Sequence, residues 1–410
     1  MQTRSPTSSD VSPCVPRAHA ASDRDVFGGH GLFDDLRPIG IASALCGLLP
    51  VRLGPMRFSF HPLKSSLLYA VLVTLVVYWS TWRLVTDRMH VFTQRRMSLV
   101  TRFTSVVSFG SVSGIALLPL LWLETQYLRQ DQHPCRHLMI ELGASFRASG
   151  SSAARTVVQG ALLCLGVFLP SSVVLWLAVL ASEGASWTHW FAHMHVLAMP
   201  LLQCANVAGS AFCVKRLADV LQASLVQELR APWVDPRRIR AHRIAWLHLR
   251  DVVQNLVRAP LTVLAMVLHM ILMSTLASYQ ALVCVMAGQM PLGMLLLLLG
   301  SHYYLLLLLL CDAVHRVSDA VGREFRHPLE TFGGVSVSQR AQSEIRLFRK
   351  TVSSSRLEVS AAGYWHASRH AITSVMSATV AYVIVLVQFR HPERQPVIQI
   401  TNATHLLLIR

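Results

Sequence analysis

The chain has 410 residues, 53% of them hydrophobic and only 14% charged, with a mean hydropathy of +0.45. That balance exceeds what a soluble core can hide and places the chain among polytopic membrane proteins. The net charge of +16 and pI near 10.2 raise nucleic acid as a partner, and the location of the Lys and Arg decides against it below.

Met1 to about Arg37 mixes Ser, Pro, Asp, His and Arg without an apolar core. It reads as a flexible cytosolic tail and not as a cleaved signal peptide. Seven runs free of Asp, Glu, Lys and Arg then follow, at 65–82, 103–123, 158–181, 190–214, 260–287, 293–311 and 371–389. Each is long enough to cross a hydrocarbon core of ~30 Å at ~1.5 Å per residue. An ionised side chain at the centre of such a helix costs about 2.5–3.5 kcal/mol, which explains the exclusion of charge. The expected fold is therefore all-α, with seven transmembrane helices.

Orientation follows from the basic residues. Segments 1–64, 124–157, 215–259 and 312–370 hold 7, 4, 9 and 9 Lys or Arg, against 5, 0, 0 and 3 in the alternate segments. The positive-inside rule puts the N-terminus in the cytosol and the C-terminus outside, despite the five arginines of the first outer loop. The charge is then mostly cytoplasmic, close to membrane lipid, and no nucleic-acid partner is required. The division expected is a cytoplasmic segment 1–64, a seven-helix domain 65–389 and an extracellular tail 390–410.

Outside the spans, apolar stripes continue. Leu217, Val220, Leu221, Leu225 and Leu229 extend the fourth helix towards Pro232 and Pro236, and Ile244, Leu247, Val252 and Leu256 climb back to the fifth. Ala313, Val317, Val321 and Phe325 prolong the sixth, and Ser343 to Tyr364 is amphipathic. Such stripes need partners, so the inner ends of helices four to seven, within 215–259 and 312–370, are expected to form a cytoplasmic bundle. Gly288 and Pro291 mark a tight outer turn between the fifth and sixth spans.

Eight cysteines, several within apolar runs, form no disulfide framework and no C-x-x-C pattern. His189, His193 and His195 have no accompanying carboxylate or thiol, which argues against a zinc site. His366 and His370 read as interfacial packing, and Asp312 and Asp319 as ion-pairing or capping groups for the bundle. No nucleophile–base pair, phosphate loop or metal constellation is present, so neither an enzyme nor a cofactor is expected.

The last run combines two features. Ser374, Ser377, Ala381 and Gln388 recur on one face, a small and polar stripe suited to helix contacts or a water path and not to lipid. The stretch Ala361-Ala-Gly363-Tyr364-Trp-His-Ala-Ser-Arg369 precedes it, and Ala381-Tyr382-Val-Ile-Val-Leu-Val-Gln388-Phe389 closes it. These residues resemble the signature of the insect gustatory receptor family: Thr-Tyr, five hydrophobic residues and Gln-Phe, after a small-Gly-aromatic stretch and a basic residue. Tyr382, the spacer, Gln388 and Phe389 match, while Ala381 stands where the family has Thr. Cys46-Gly-Leu-Leu-Pro-Val51 resembles the family's approach to its first span. The 21 residues after Phe389 are longer than the family's usual ending, and Asn402 opens a glycosylation sequon there.

The resemblance implies a tetrameric, ligand-gated, non-selective cation channel of the plasma membrane, a homo- or heterotetramer with other gustatory receptors, opened by a small-molecule tastant. The last helix of each subunit would line the pore, with Gln388, Phe389, Tyr382, Val385 and Ala381 as pore and gate residues. A ring of apolar side chains gates by dewetting, and a ring of amides replaces part of an ion's hydration shell. The ligand pocket is expected in the outer half of the bundle, drawn from Tyr78, Trp79, Phe109, Trp176, Tyr279, Gln280, His302 and Tyr303. Trp82, Trp187 and Trp190 read as membrane-belt residues. The ligand class leans towards bitter or other aversive compounds. An odorant-type receptor of the same superfamily is the alternative, ahead of a G-protein-coupled receptor or a transporter.

Overall fold

A computed structural model describes residues 41, 43, 52–54, 57–59, 65–92, 187–254, 256, 260–333, 337–355, 357, 359–361, 364–366 and 368–389. The runs at 103–123 and 158–181, with Phe109 and Trp176, lie outside the described residues, as do Asn402 and the tail 390–410. The other five runs are helical. They are α1 (Ser65–Phe92), α2 (Trp187–Arg230), α4 (Pro260–Met286), α5 (Met290–Asp319) and α8 (Arg369–Phe389). Stretches of α2, α4 and α8, and of α5 continued to Thr331, are long and apolar enough to cross a membrane. Short antiparallel pairs, β1 (Arg52–Gly54) with β2 (Arg57–Ser59) and β3 (Ser360–Ala361) with β4 (Trp365–His366), precede α1 and α8 respectively.

The hairpin of α4 and α5 is central. Its turn uses Gly288 at φ +78°, a conformation that costs glycine nothing, and Pro291 starts the next helix. The two helices then approach closely at small residues. A Cβ on Gly293 would lie 2.8 Å from Val285 Cγ2 and 3.2 Å from the Ala281 carbonyl oxygen. Gly300 faces Ala277 and Ser278 at ordinary contact distance. α2 packs on α5 and on α1, and α8 packs on both arms of the hairpin.

Below the apolar stretches the expected bundle is present. α2 runs for 44 residues, about 66 Å at 1.5 Å per residue and twice a bilayer core. Leu217, Leu221, Leu225 and Leu229 are buried along its extension. The chain turns at Pro232, and α3 (Pro236–Gln254) starts on an Asp235 cap whose Oδ1 accepts from the Arg237 N–H at 2.9 Å. α5 runs on through Ala313, Val317 and a π-helical turn, Ala320–Glu324, into α6 (Phe325–Thr331). α7 (Gln339–Ser354) begins at Ser338, whose Oγ accepts from the Ala341 N–H at 3.3 Å. Its buried Ile345, Phe348 and Val352 close the bundle core against α3.

Two expectations are corrected here. The buried face of α3 is Ile239, Ala245, Trp246, Leu249, Val252 and Val253, while Ile244 is 43% exposed. Burying the indole of Trp246 removes more apolar surface than burying Ile244, and the helix rotates accordingly. The amphipathic stretch from Ser343 ends at Ser354 and does not reach Tyr364. Ser354 and Ser355 hydroxyls both donate to the Thr351 carbonyl, competing with the next helical turn.

The close approach at Gly293 yields a stability test. Gly293→Ala should destabilise the hairpin by about 1–3 kcal/mol through overpacking, and Gly300→Ala should be near neutral. Thermal unfolding of the purified receptor in detergent separates the two.

Candidate functional site

α8 starts from Ser368, whose Oγ accepts from the Ala371 N–H at 3.4 Å. Ile372, Val375, Thr379, Val383 and Val387 recur at helical spacing and, with Ala371 in the first turn, are the buried or half-buried positions along its length. Thr379 is the most enclosed of them, and its hydroxyl meets that of Thr275 on α4 at 3.5 Å. At about 100° per residue, Ser374, Ser377, Ala381, Val385 and Gln388 fall on the opposite side of the helix. All five are exposed. Only 6% of the apolar stretch of α8 is buried, against 50–67% for those of α2, α4 and α5. The polar stripe therefore faces away from the described helices on which α8 packs.

Tyr382 is 63% exposed and lies roughly 100° round from Ala381, on a flank of that stripe. Phe389 closes the helix. Arg369 is its first residue and donates from Nη2 and Nε to Asp312 Oδ1 at 2.6 and 3.0 Å. Asp312 Oδ2 also takes Arg316 Nε at 2.6 Å. Asp319 pairs with Arg323 and His315, so both aspartates serve as the ion-pairing groups expected of them.

The proposed ligand residues separate into three places. His302 and Tyr303 are buried halfway along the apolar stretch of α5. The Tyr303 ring lies edge-on between two imidazoles, His302 at 5.6 Å and His269 of α4 at 6.0 Å between centroids. The Tyr303 hydroxyl is buried with no hydrogen-bond partner among the described residues. Tyr279 and buried Gln280 stand 10 and 11 residues further along α4 from His269, about 15 Å nearer the hairpin turn. Tyr78 and Trp79 sit on the exposed side of α1, where the Arg83 guanidinium covers the Trp79 ring at 5.5 Å. Among the described residues no group of three or more His, Cys, Asp and Glu is placed to hold a metal.

His269 is the residue that sequence reading missed. A lone histidine in an apolar helix shows no pattern. The signal lay in the hairpin: equal steps back from Gly288 bring Tyr303 within about one turn of His269.

The family described as 7tm chemosensory receptor matches residues 36–391. The gustatory and odorant receptor 22 of Anopheles gambiae is 24% identical over 234 residues, covering 56% of this chain and 49% of that protein. The match thus spans about half the length of that relative. Among solved structures, the insect olfactory receptor OR5 from Machilis hrabei in complex with eugenol superposes with a TM-score of 0.54 at 14% identity, over 87% of this chain and 98% of that one. The same receptor without eugenol in its description gives 0.53 at 14% identity, over 86% and 97%. These structures share the seven-helix fold. The match over 36–391, most of the chain's length, shows that this protein is a member of the 7tm chemosensory receptor family.

Proposed function

We propose that the chain is a gustatory-type receptor and a subunit of a ligand-gated, non-selective cation channel of the plasma membrane. Four subunits, identical or mixed with other gustatory receptors, place α8 around a central pore. The observation that carries this reading is the direction of the α8 stripe. Ser374, Ser377, Ala381 and Gln388 are uncovered on the side opposite the Thr379 seam, and hydrocarbon gives a serine hydroxyl or an amide nothing to bind. Water in a pore, or matching helices around it, does. Gln388 then stands at the outer mouth with Phe389 beside it, the N-terminus lies in the cytosol and the 390–410 tail outside.

The ligand reading centres on Tyr303. A buried phenol between two imidazoles offers donors, acceptors and ring faces to a small tastant with a polar group, and bitter or aversive compounds fit that description. Tyr279 and Gln280 form a second, shallower contact level. An odorant-type receptor of the same superfamily is the second reading, favoured by a relative whose name joins both senses. Volatile against dissolved ligands, applied in the same recordings, divide the two.

Cells expressing the chain, alone or with partner subunits, should carry tastant-evoked current that persists when G-protein signalling is blocked. Current that vanishes under the block overturns direct gating. Gln388→Ala and Phe389→Ala should change basal leak or ion permeation more than ligand preference. Tyr303→Phe should shift the half-maximal tastant concentration by about fivefold, the size of one hydrogen bond, while Gln388-dependent permeation stays as in the parent. A Tyr303→Phe receptor with an unaltered dose–response curve removes the phenol from the pocket.

A further inference from the structure

α5 leaves its apolar stretch through a turn that is not α-helical. Over Ala320–Glu324 the backbone widens to π geometry, which interrupts the regular ladder and rotates the parts above and below relative to one another. Side chains from two other helices bind carbonyls of this turn. Trp246 of α3 donates its indole N–H to the Val321 carbonyl at 3.0 Å, and Gln222 of α2 donates its amide N–H to the Glu324 carbonyl at 2.9 Å. The indole is fully buried and meets Phe348 of α7 edge-on, 6.2 Å between centroids. Two helices thus bind one irregular turn, and a third packs on the indole that holds it.

The turn lies below a second contact on the same helix. Nine residues above Val321, about 13 Å, Asp312 holds Arg369, the first residue of α8. Its other oxygen is taken by Arg316. The Arg316 bond lies within α5 and turns with it, so it is the bond to Arg369 that keeps its geometry only while α5 keeps its rotation. One residue of register in a helix is about 100°, enough to swing Asp312 off Arg369.

We propose that Trp246 is a positioning residue of the gate. By holding the π turn through the Val321 carbonyl it sets the rotation of α5, and Asp312 passes that setting to Arg369 and the resting position of α8. Trp246 touches neither the polar stripe of α8 nor the Tyr303 cluster; it acts through α5. The inference rests on the channel reading above.

The test is current recording from cells expressing full-length receptor at matched surface levels. Trp246→Phe keeps an aromatic ring in the core and removes the N–H together with part of the indole's bulk, which is why surface level is read beside gating. It should raise basal current and lower the half-maximal tastant concentration together, by about fivefold, as for one buried hydrogen bond lost from the resting state. Gln222→Ala should act in the same direction with a smaller effect. In an Arg369→Gln background, Trp246→Phe should add little, because both changes break one coupled chain of contacts. Wild-type gating in Trp246→Phe overturns the proposal, as does an effect fully additive with Arg369→Gln. Reduced surface protein with wild-type gating in the molecules that remain also overturns it, since that is a purely structural role. Should Trp246→Phe not reach the surface, Gln222→Ala, on a partly exposed side chain, carries the same comparison. Absence of current from the wild-type receptor overturns the channel reading itself and is separate from all of these outcomes.

Discussion

Two helices in hydrocarbon gain no hydrophobic stabilisation by meeting, because lipid is as apolar as their side chains. What holds them is close packing. The α4–α5 hairpin meets that condition with Gly293 against Ala281 and Val285, and Gly300 against Ala277 and Ser278. Three described features lean on it. α2 lies along α5, α8 rests on both arms, and the Tyr303 cluster exists only because the hairpin sets His269 beside that ring. A side chain that forced the arms apart at Gly293 would disturb all three.

The spans were legible because charge is excluded from them, and a rule about cost at the bilayer centre needs no knowledge of neighbours. Within the described residues, five runs became helices close to where they were expected. The extension of α2 and the turn at Gly288 were legible for similar local reasons. Facing directions were not. Ile244 and Trp246 lie two apart on α3, and only the packing of Phe348 and Val321 decides which is buried. The π turn leaves no mark in the sequence, since one extra residue in a stripe of Ala and Val disturbs no visible period.

The candidate site shows the same division. Periodicity marked the stripe on α8, but not that Thr379 and its neighbours pack on the opposite side, which is what gives the stripe a direction. His302 and Tyr303 were singled out as polar groups in an apolar run, whereas their partner His269 depends on the register of two helices. Tyr279 and Gln280 looked equivalent to them in sequence and stand a different height along the hairpin. The cluster around Tyr303 and the stripe of α8 lie apart, joined through α4 and α5.

The narrow seam on α8 bears on the life of a newly made subunit. Ser374, Ser377 and Gln388 are exposed on the side of α8 away from the described helices, and only the Ser374 hydroxyl finds a bond within the helix, to the His370 carbonyl, so a lone protomer turns a polar stripe towards acyl chains. In the proposed channel, partner subunits would relieve that cost, and by mass action their abundance would then set how stable each subunit is in the bilayer. A surplus of one chain would then mark itself as unassembled through the same face that the proposed assembly uses, which would tie the composition of such a complex to expression levels without any separate recognition signal.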